Sequence, residues 1–329
     1  MNTQAAFFQY IKEKIPPHLA LVDEISELLK ISYDSAYRRI RGEKELSFSE
    51  LQLLGTHYDI SIDSTFQIKS NNVIFKDFCI CPEKNTIKDW LKKIHLDLQR
   101  IYSVPNKEII YSAKDPPIFH YFQFPEIAAF KIFFWEKTIF NFPQYVDRKF
   151  SIDDYDPEIK VIGDQILGLS NKIPSIEIWN EDTFNIMFKQ IEYYWISGFF
   201  EYKEDIFRLC DSLTSWLNHI QKQAEYGFKF RHDGPCEGIE NSYILYENEV
   251  VLNDNTIHVK TENISSVYFT YNVCSLLFTI DPDYCNHIHE FLKGLIKNSI
   301  LISSVNAKER SRFFNRLRGK IDDFRSEIR

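Results

Sequence analysis

Glycine is scarce in this chain, ten in 329 residues, and none falls in G-x-G-x-x-G, G-x-x-x-x-G-K-[ST] or G-x-S-x-G. Loops that cradle phosphates need backbone without side chains, and a nucleophile elbow needs a glycine-flanked turn, so neither nucleotide chemistry nor α/β-hydrolase chemistry is indicated. Cysteine is sparse as well: six, at 79, 81, 210, 236, 274 and 285, with no C-x-x-C pair. Cys79 and Cys81 are too close in sequence for an ordinary disulfide, and the pattern predicts reduced thiols. No long apolar run occurs; the longest uncharged stretch, residues 263–280, is studded with Ser, Thr, Asn and Tyr and alternates as strands do. The opening residues lack a basic segment followed by an apolar one and a small-residue cleavage site, the marks of a signal peptide. Positive charge is not in excess either, with 47 acidic against 39 basic residues and a net charge of −8. That balance excludes a polycation whose whole surface holds nucleic acid, so any DNA contact is local. A soluble, cytoplasmic protein with no membrane partner is the expectation.

What the chain does have is apolar bulk: 28 Phe, 18 Tyr and 5 Trp within 44% hydrophobic residues. This is enough for a sizeable core and two or three domains. Residues 1–62 read as four short helices sharing one core, through Phe7, Phe8, Ile11 and Ile15, then Leu21, Ile25, Leu28 and Leu29, then Phe48, Leu51 and Leu54. Residues 63–83 turn polar and read as a linker, although Phe66, Ile68, Val73, Ile74 and Phe75 predict that part of it docks as a strand. Residues 84–329 form the remainder. Helices are predicted over 86–102, 156–169, 181–200, 203–226, 281–297 and 306–328, a short strand over 108–111, and a meander of antiparallel strands over 241–280. The expected fold is mainly α: a small helical bundle joined to a larger, mostly helical α+β domain with a small antiparallel sheet.

The informative stretch is D-E-I-S-E-L-L-K-I-S-Y-D-S-A-Y-R-R-I-R-G over residues 23–42. A helix carrying Ile25, Leu28 and Leu29 stops near Lys30, Ser32 caps a second helix, Gly42 ends it, and Ser47 with Glu50 forms a capping box for the next. This is helix-turn-helix spacing. Wound at about 100° per residue, the second helix groups Tyr33, Ala36 and Ile40 as an apolar stripe and leaves Asp34, Ser35, Arg38 and Arg41 outward. Arg offers the fork that fits guanine O6 and N7, while Arg39 and Lys44 are placed to neutralise phosphates. Residues 1–69 carry a net charge of −2, yet residues 36–44 hold Arg38, Arg39, Arg41 and Lys44 against Glu43 alone. The positive charge is focused on the helix proposed to read DNA.

These residues resemble the lambda-repressor-like (XRE-type) helix-turn-helix transcription regulators, and more narrowly the Bacteroidetes-type regulators whose reading segment is similar to I-S-x-D-S-A-Y-R-R-I-R-G-E. The match runs through Ile31, Ser32, Asp34, Ser35, Ala36, Tyr37, Arg38, Arg39, Ile40, Arg41, Gly42 and Glu43. The resemblance implies base approach by Tyr33, Asp34, Ser35, Tyr37 and Arg38. Lys30 stands where the broad family has a turn glycine, and Ile40 where it often has Glu; the first implies a strained left-handed residue or a different turn. Residues 117–135 also look similar to the long C-terminal region of those regulators, without implying a chemistry.

Other constellations have plainer readings. Cys285, His287, His289 and Glu290 tempt a metal assignment, but H-x-H on a helix sets its rings about 200° apart and no H-E-x-x-H accompanies it. His232-Asp-Gly-Pro-Cys236 reads as a turn. The aromatics Phe119, Tyr121, Phe122, Phe124, Phe130, Phe133, Phe134, Trp135 and Phe140 form either core or the lining of an effector pocket. Residues 308–329 hold eight basic and four acidic residues with Phe313, Phe314, Leu317, Ile321, Phe324 and Ile328 on one face. They read as a docked amphipathic helix, with a dimer contact or a second DNA contact as alternatives.

The sequence therefore predicts a transcription regulator that binds double-stranded DNA as a homodimer through residues 33–41, uses no cofactor, metal or catalytic residue, and carries a second domain for dimerisation or for sensing a small-molecule effector. The rivals are a protein-interaction scaffold built on the helix-turn-helix and an unrecognised enzyme in the C-terminal region.

Overall fold

The computed structural model describes residues 3–328 apart from Pro17, Asp59, 61–71, 82–84, Val251, Asn253 and Asn263. Most of the expected linker, with Phe66 and Ile68, lies outside the described residues. The chain divides into two compact units, Met1–Ile74 and Phe75–Arg329.

The first unit contains α1 (Thr3–Lys14), α2 (Leu21–Leu29), α3 (Tyr33–Ile40) and α4 (Phe48–His57). Their shared core is Phe7, Phe8, Ile11, Ile15, Val22, Ile25, Ala36 and Leu54. Each helix stops for a local reason. Lys30 ends α2 in the left-handed region, at φ 54° and ψ 46°. Its N–H reaches Glu27 O and the next N–H, of Ile31, reaches Ser26 O at 3.0 Å, the paired bonds of a Schellman turn. Gly42 repeats the device after α3, with φ 76° and bonds from Gly42 N to Arg39 O and from Glu43 N to Arg38 O. Ser32 Oγ caps α3 by accepting from Ser35 N, and Ser47 and Glu50 close a complete capping box on α4.

Two packing expectations need correction. Phe48 is not core: as the first residue of α4 it is 93% exposed, while Leu51 and Leu54 face inward. Tyr33 likewise leaves the inner face of α3, which is occupied by Ala36 and by Arg39, the latter only 5% exposed.

The second unit corrects the fold class from mainly α to mixed α/β. In place of a small antiparallel sheet it has eight strands in one mixed sheet, β1 (Lys76–Phe78), β2 (Glu108–Ala113), β3 (Ser175–Trp179), β4 (Tyr243–Glu247), β5 (Thr256–Lys260), β6 (Ser265–Tyr271), β7 (Ser275–Thr279) and β8 (Ile300–Leu301), ordered β1-β7-β6-β5-β2-β3-β4-β8. β2, β3 and β4 run parallel, and the remaining pairings are antiparallel. The expected meander exists only as β5-β6-β7; β2 and β3 stand between β4 and β5. Parallel neighbours are joined by long helical crossovers, so β2 and β3 lie far apart in sequence and each is a short apolar run between helices. β2 and β3 present alternate residues to two cores. Ile109, Tyr111 and Trp179 enter the larger one, beneath the helices α5 (Ile87–Ser103), α6 (Ile118–Tyr121), α7 (Pro125–Phe134), α8 (Pro157–Ser170), α9 (Glu181–Ile196) and α10 (Glu204–Tyr226). Ile110 and Ile178 pack with Cys285, Ile288 and Leu292 of α11 (Pro282–Lys297). The terminal helix, α12 (Ala307–Ile328), buries Phe313, Phe314, Leu317, Ile321, Phe324 and Ile328 in the larger core. No helix of the described residues is long and apolar enough to cross a membrane.

Candidate nucleic-acid interface

The Schellman turn at Lys30 fixes the approach of α3 to α2, and the two ends of α3 are capped independently, so an eight-residue helix is held straight by its termini and by its inner face. That inner face sets a buried guanidinium, Arg39, beside Ala36 and Ile40 of the apolar core. Arg39 Nη2 donates to Glu50 Oε1 at 2.7 Å and Nη1 to the Ser35 carbonyl at 3.1 Å. The other Glu50 oxygen accepts from Ser47 N at 2.9 Å, so one carboxylate both caps α4 and ties it to α3. Burial alone would push the Glu50 carboxyl up, but the bonds from Arg39 and the Ser47 backbone outweigh it and hold it below the usual range. Gln4 completes the frame from α1: its Nε2 donates to the carbonyls of Arg39 and Lys44, and its Oε1 accepts from Leu46 N. The sequence offered no local sign of Gln4, whose partners are 35 to 42 residues away.

Outward, α3 and the turn after it present Tyr33, Asp34, Tyr37, Arg38, Arg41 and Lys44, all exposed, with Ser35 half-buried beside its cap. Arg41 lies over the Tyr37 ring at 4.5 Å, and the Tyr33 and Tyr37 rings are 6.1 Å apart. Glu43 approaches Arg38 at 3.9 Å and Arg41 at 3.8 Å, with both arginine side chains more than half exposed. Such pairs contribute about 0–1 kcal/mol and leave the guanidinium groups free to exchange partners. Seven of the eight expected contact residues therefore remain at or near the surface. Arg39 does not: its guanidinium is committed inward, and its assignment to phosphate is withdrawn.

The second unit holds a polar cluster of its own. Glu177, on the central strand β3, accepts from Trp179 Nε1 at 2.9 Å and Tyr243 OH at 3.2 Å, and meets His120 Nε2 at 3.0 Å. Burial would raise this carboxyl, yet His120 and Lys229 together hold it below the usual range. Burial in turn pushes the Lys229 ammonium down to about 8, against the pull of Glu177. Every member of this cluster is buried and paired, which describes a polar core of the sheet. The His258 and His289 rings lie tilted against each other with centroids 4.7 Å apart, whereas His287 is exposed, so the H-x-H pair does not converge. No group of three or more metal-ligating side chains occurs among the described residues. His232 lies exposed against Phe124, and Cys236 is exposed beyond it.

On α12, Arg316 and Lys320 pair with Glu181, Arg316 also with Glu247, and Arg325 with Asp211. The basic excess of the tail is largely spent on its own unit. Of the nine aromatics around residues 119–140, Phe119, Tyr121 and Trp135 line a cavity, Phe122 and Phe124 line a separate cleft, and the remaining four pack in the core. No protein-family model matches this chain, and comparison with curated proteins and with solved structures finds no match.

Proposed function

We propose that this chain is a transcription regulator that binds double-stranded DNA by laying α3 in the major groove. The observation that carries the reading is the division of labour on α3: Arg39 and Ala36 are locked inward while Arg38, Arg41, Tyr33, Tyr37 and Asp34 stand outward on a rigid, doubly capped helix. A groove-reading helix needs that rigidity, because side chains must meet base edges without each contact having to order the backbone first. Arg38 and Arg41 with Lys44 supply three exposed cations against Asp34 and Glu43, a net positive face that suits a phosphate-lined groove. A helix of eight residues contacts few bases, so the reading includes a homodimer on two half-sites about one helical turn apart.

Selection of bound sequences from a random duplex library tests this directly. The expected outcome is a short motif recovered as a paired repeat, with affinity falling steeply as salt is raised. A protein that enriches no motif and whose duplex binding is insensitive to salt would be read instead as an interaction scaffold.

A further inference from the structure

Beneath α5, on the sheet face carrying Ile109, Tyr111, Ile257 and Val259, the second unit holds a cavity of about 100 Å³. Its walls are apolar almost throughout, Leu98, Phe119, Trp135 and Tyr268 among them. Polar groups gather around Asp115. One oxygen of that carboxylate accepts from Tyr121 OH at 2.7 Å and the other from Lys131 Nζ at 2.8 Å. Lys131 is 0% exposed, so the ion pair is closed and electrically neutral as a unit. Asn255 Oδ1 accepts from the backbone N–H groups of Lys114 and Asp115, at 2.8 and 3.0 Å, which fixes the carboxamide; its Nδ2 donates to nothing among the described residues. Tyr111, 5% exposed, lines the same space, and its hydroxyl makes no hydrogen bond among the described residues.

Trp90 and Trp135 line the cavity with indole N–H groups that are buried without a partner among the described residues, and leaving such a group unpaired costs about 1–3 kcal/mol. The Tyr111 phenol and the Asn255 carboxamide N–H, unpaired among the described residues but not sealed from solvent, face the same apolar cavity. At its rim stands Val273, partly exposed and held at φ 72°, a left-handed conformation that a β-branched residue adopts only under constraint.

We propose that this cavity binds a neutral single-ring molecule bearing one hydroxyl, its oxygen accepting from Asn255 Nδ2 and bonded to the Tyr111 hydroxyl, and its ring against the aromatic walls. Neutrality follows from the Asp115–Lys131 pair, since an anion would face a carboxylate and a cation would find its counter-ion already engaged. Size is bounded by the volume: an engineered apolar cavity of about 150 Å³ holds benzene, so this cavity of about 100 Å³ admits no more than a single ring. The proposal concerns the second unit alone and stands or falls apart from DNA binding.

The test is calorimetric titration of the full chain with phenol, benzene and benzoate, repeated on Tyr111→Phe. Phenol is expected to bind saturably at one site, benzene more weakly, and benzoate not at all. Tyr111→Phe should weaken phenol about fivefold, the scale of one neutral hydrogen bond, leave benzene unchanged, and melt no lower than the wild type because the lost hydroxyl had no partner. Absence of saturable phenol binding, benzene binding as tight as phenol, or an unchanged phenol affinity in Tyr111→Phe would each overturn the proposal.

Discussion

Replacing Arg39 by Ala separates the inward role of this residue from the phosphate contact its position in the sequence implied. In the wild type its guanidinium bonds Glu50 and the Ser35 carbonyl, with the Arg39 side chain 6% and the Glu50 side chain 20% exposed. Removing one partner of a fully buried ion pair costs about 3–5 kcal/mol, chiefly because the surviving charge is stranded. Glu50 keeps its bond to Ser47 N and some access to water, which lowers the expected loss to about 2–3 kcal/mol. A unit of this size has only about 3–9 kcal/mol of stability to lose. Amide exchange of α2, α3 and α4 in the full chain should therefore accelerate by roughly 30- to 150-fold. Duplex affinity, measured where the first unit stays folded, should hardly change. A double-mutant cycle with Glu50→Gln should return a coupling of about 1–2 kcal/mol. Because the Glu50 carboxyl is held below its unfolded range, the contribution of this pair is present above the unfolded pKa and is lost as pH falls through the folded value. Unchanged exchange rates together with weakened, less salt-dependent DNA binding would refute the argument and return Arg39 to the phosphates.

The other predictions concern the reading face, the turn and acid sensitivity. Arg38→Ala should cost about 1–3 kcal/mol on the selected site and relax one base position, whereas Lys44→Ala should weaken selected and random duplexes alike in filter-binding titrations. Lys30→Gly should raise the urea midpoint of the first unit, by about 0.5 kcal/mol in stability, because Lys30 already occupies the left-handed conformation that glycine adopts freely; a fall would contradict the turn geometry. Burial, reinforced by His289 and Lys260, pushes His258 down to about 4. Its folded pKa lies below the unfolded one, so stability is full above about pH 6.5 and declines toward pH 4 as the unfolded chain takes up the proton, by on the order of 3 kcal/mol. His258→Gln should flatten that part of the stability–pH curve measured by urea denaturation.

The first unit was legible in the sequence because what builds it is local. Ser32, Gly42, Ser47 and Glu50 act within three or four residues of their own positions, and Lys30 marks its turn by standing where a glycine is usual. The same locality made Tyr33 and Phe48 misleading: periodicity counts apolar residues, but the first turn of a short capped helix projects past the core that the middle turns fill. Arg39 is deceptive for the complementary reason, that its charge is visible in the sequence whereas its partner Glu50, 11 residues on, becomes a partner only once α4 folds back.

In the second unit the amphipathic helices declared themselves through their 3.6-residue period, as did the alternation of β5, β6 and β7. The sheet as a whole did not. β2 meets β3 only across more than 60 residues, and β3 and β4 show short, largely apolar segments that no local rule assigns to a neighbour. The same holds for the cavity beside Asp115, whose polar groups come from β2, the segment after it, α6, α7 and the residue just before β5. Caps, turns and helix faces are decided by residues within a turn or two of one another, and the chain carries them in its order; strand partners, buried ion pairs and cavities are decided by which distant segments exclude water together, and only the folded unit determines that.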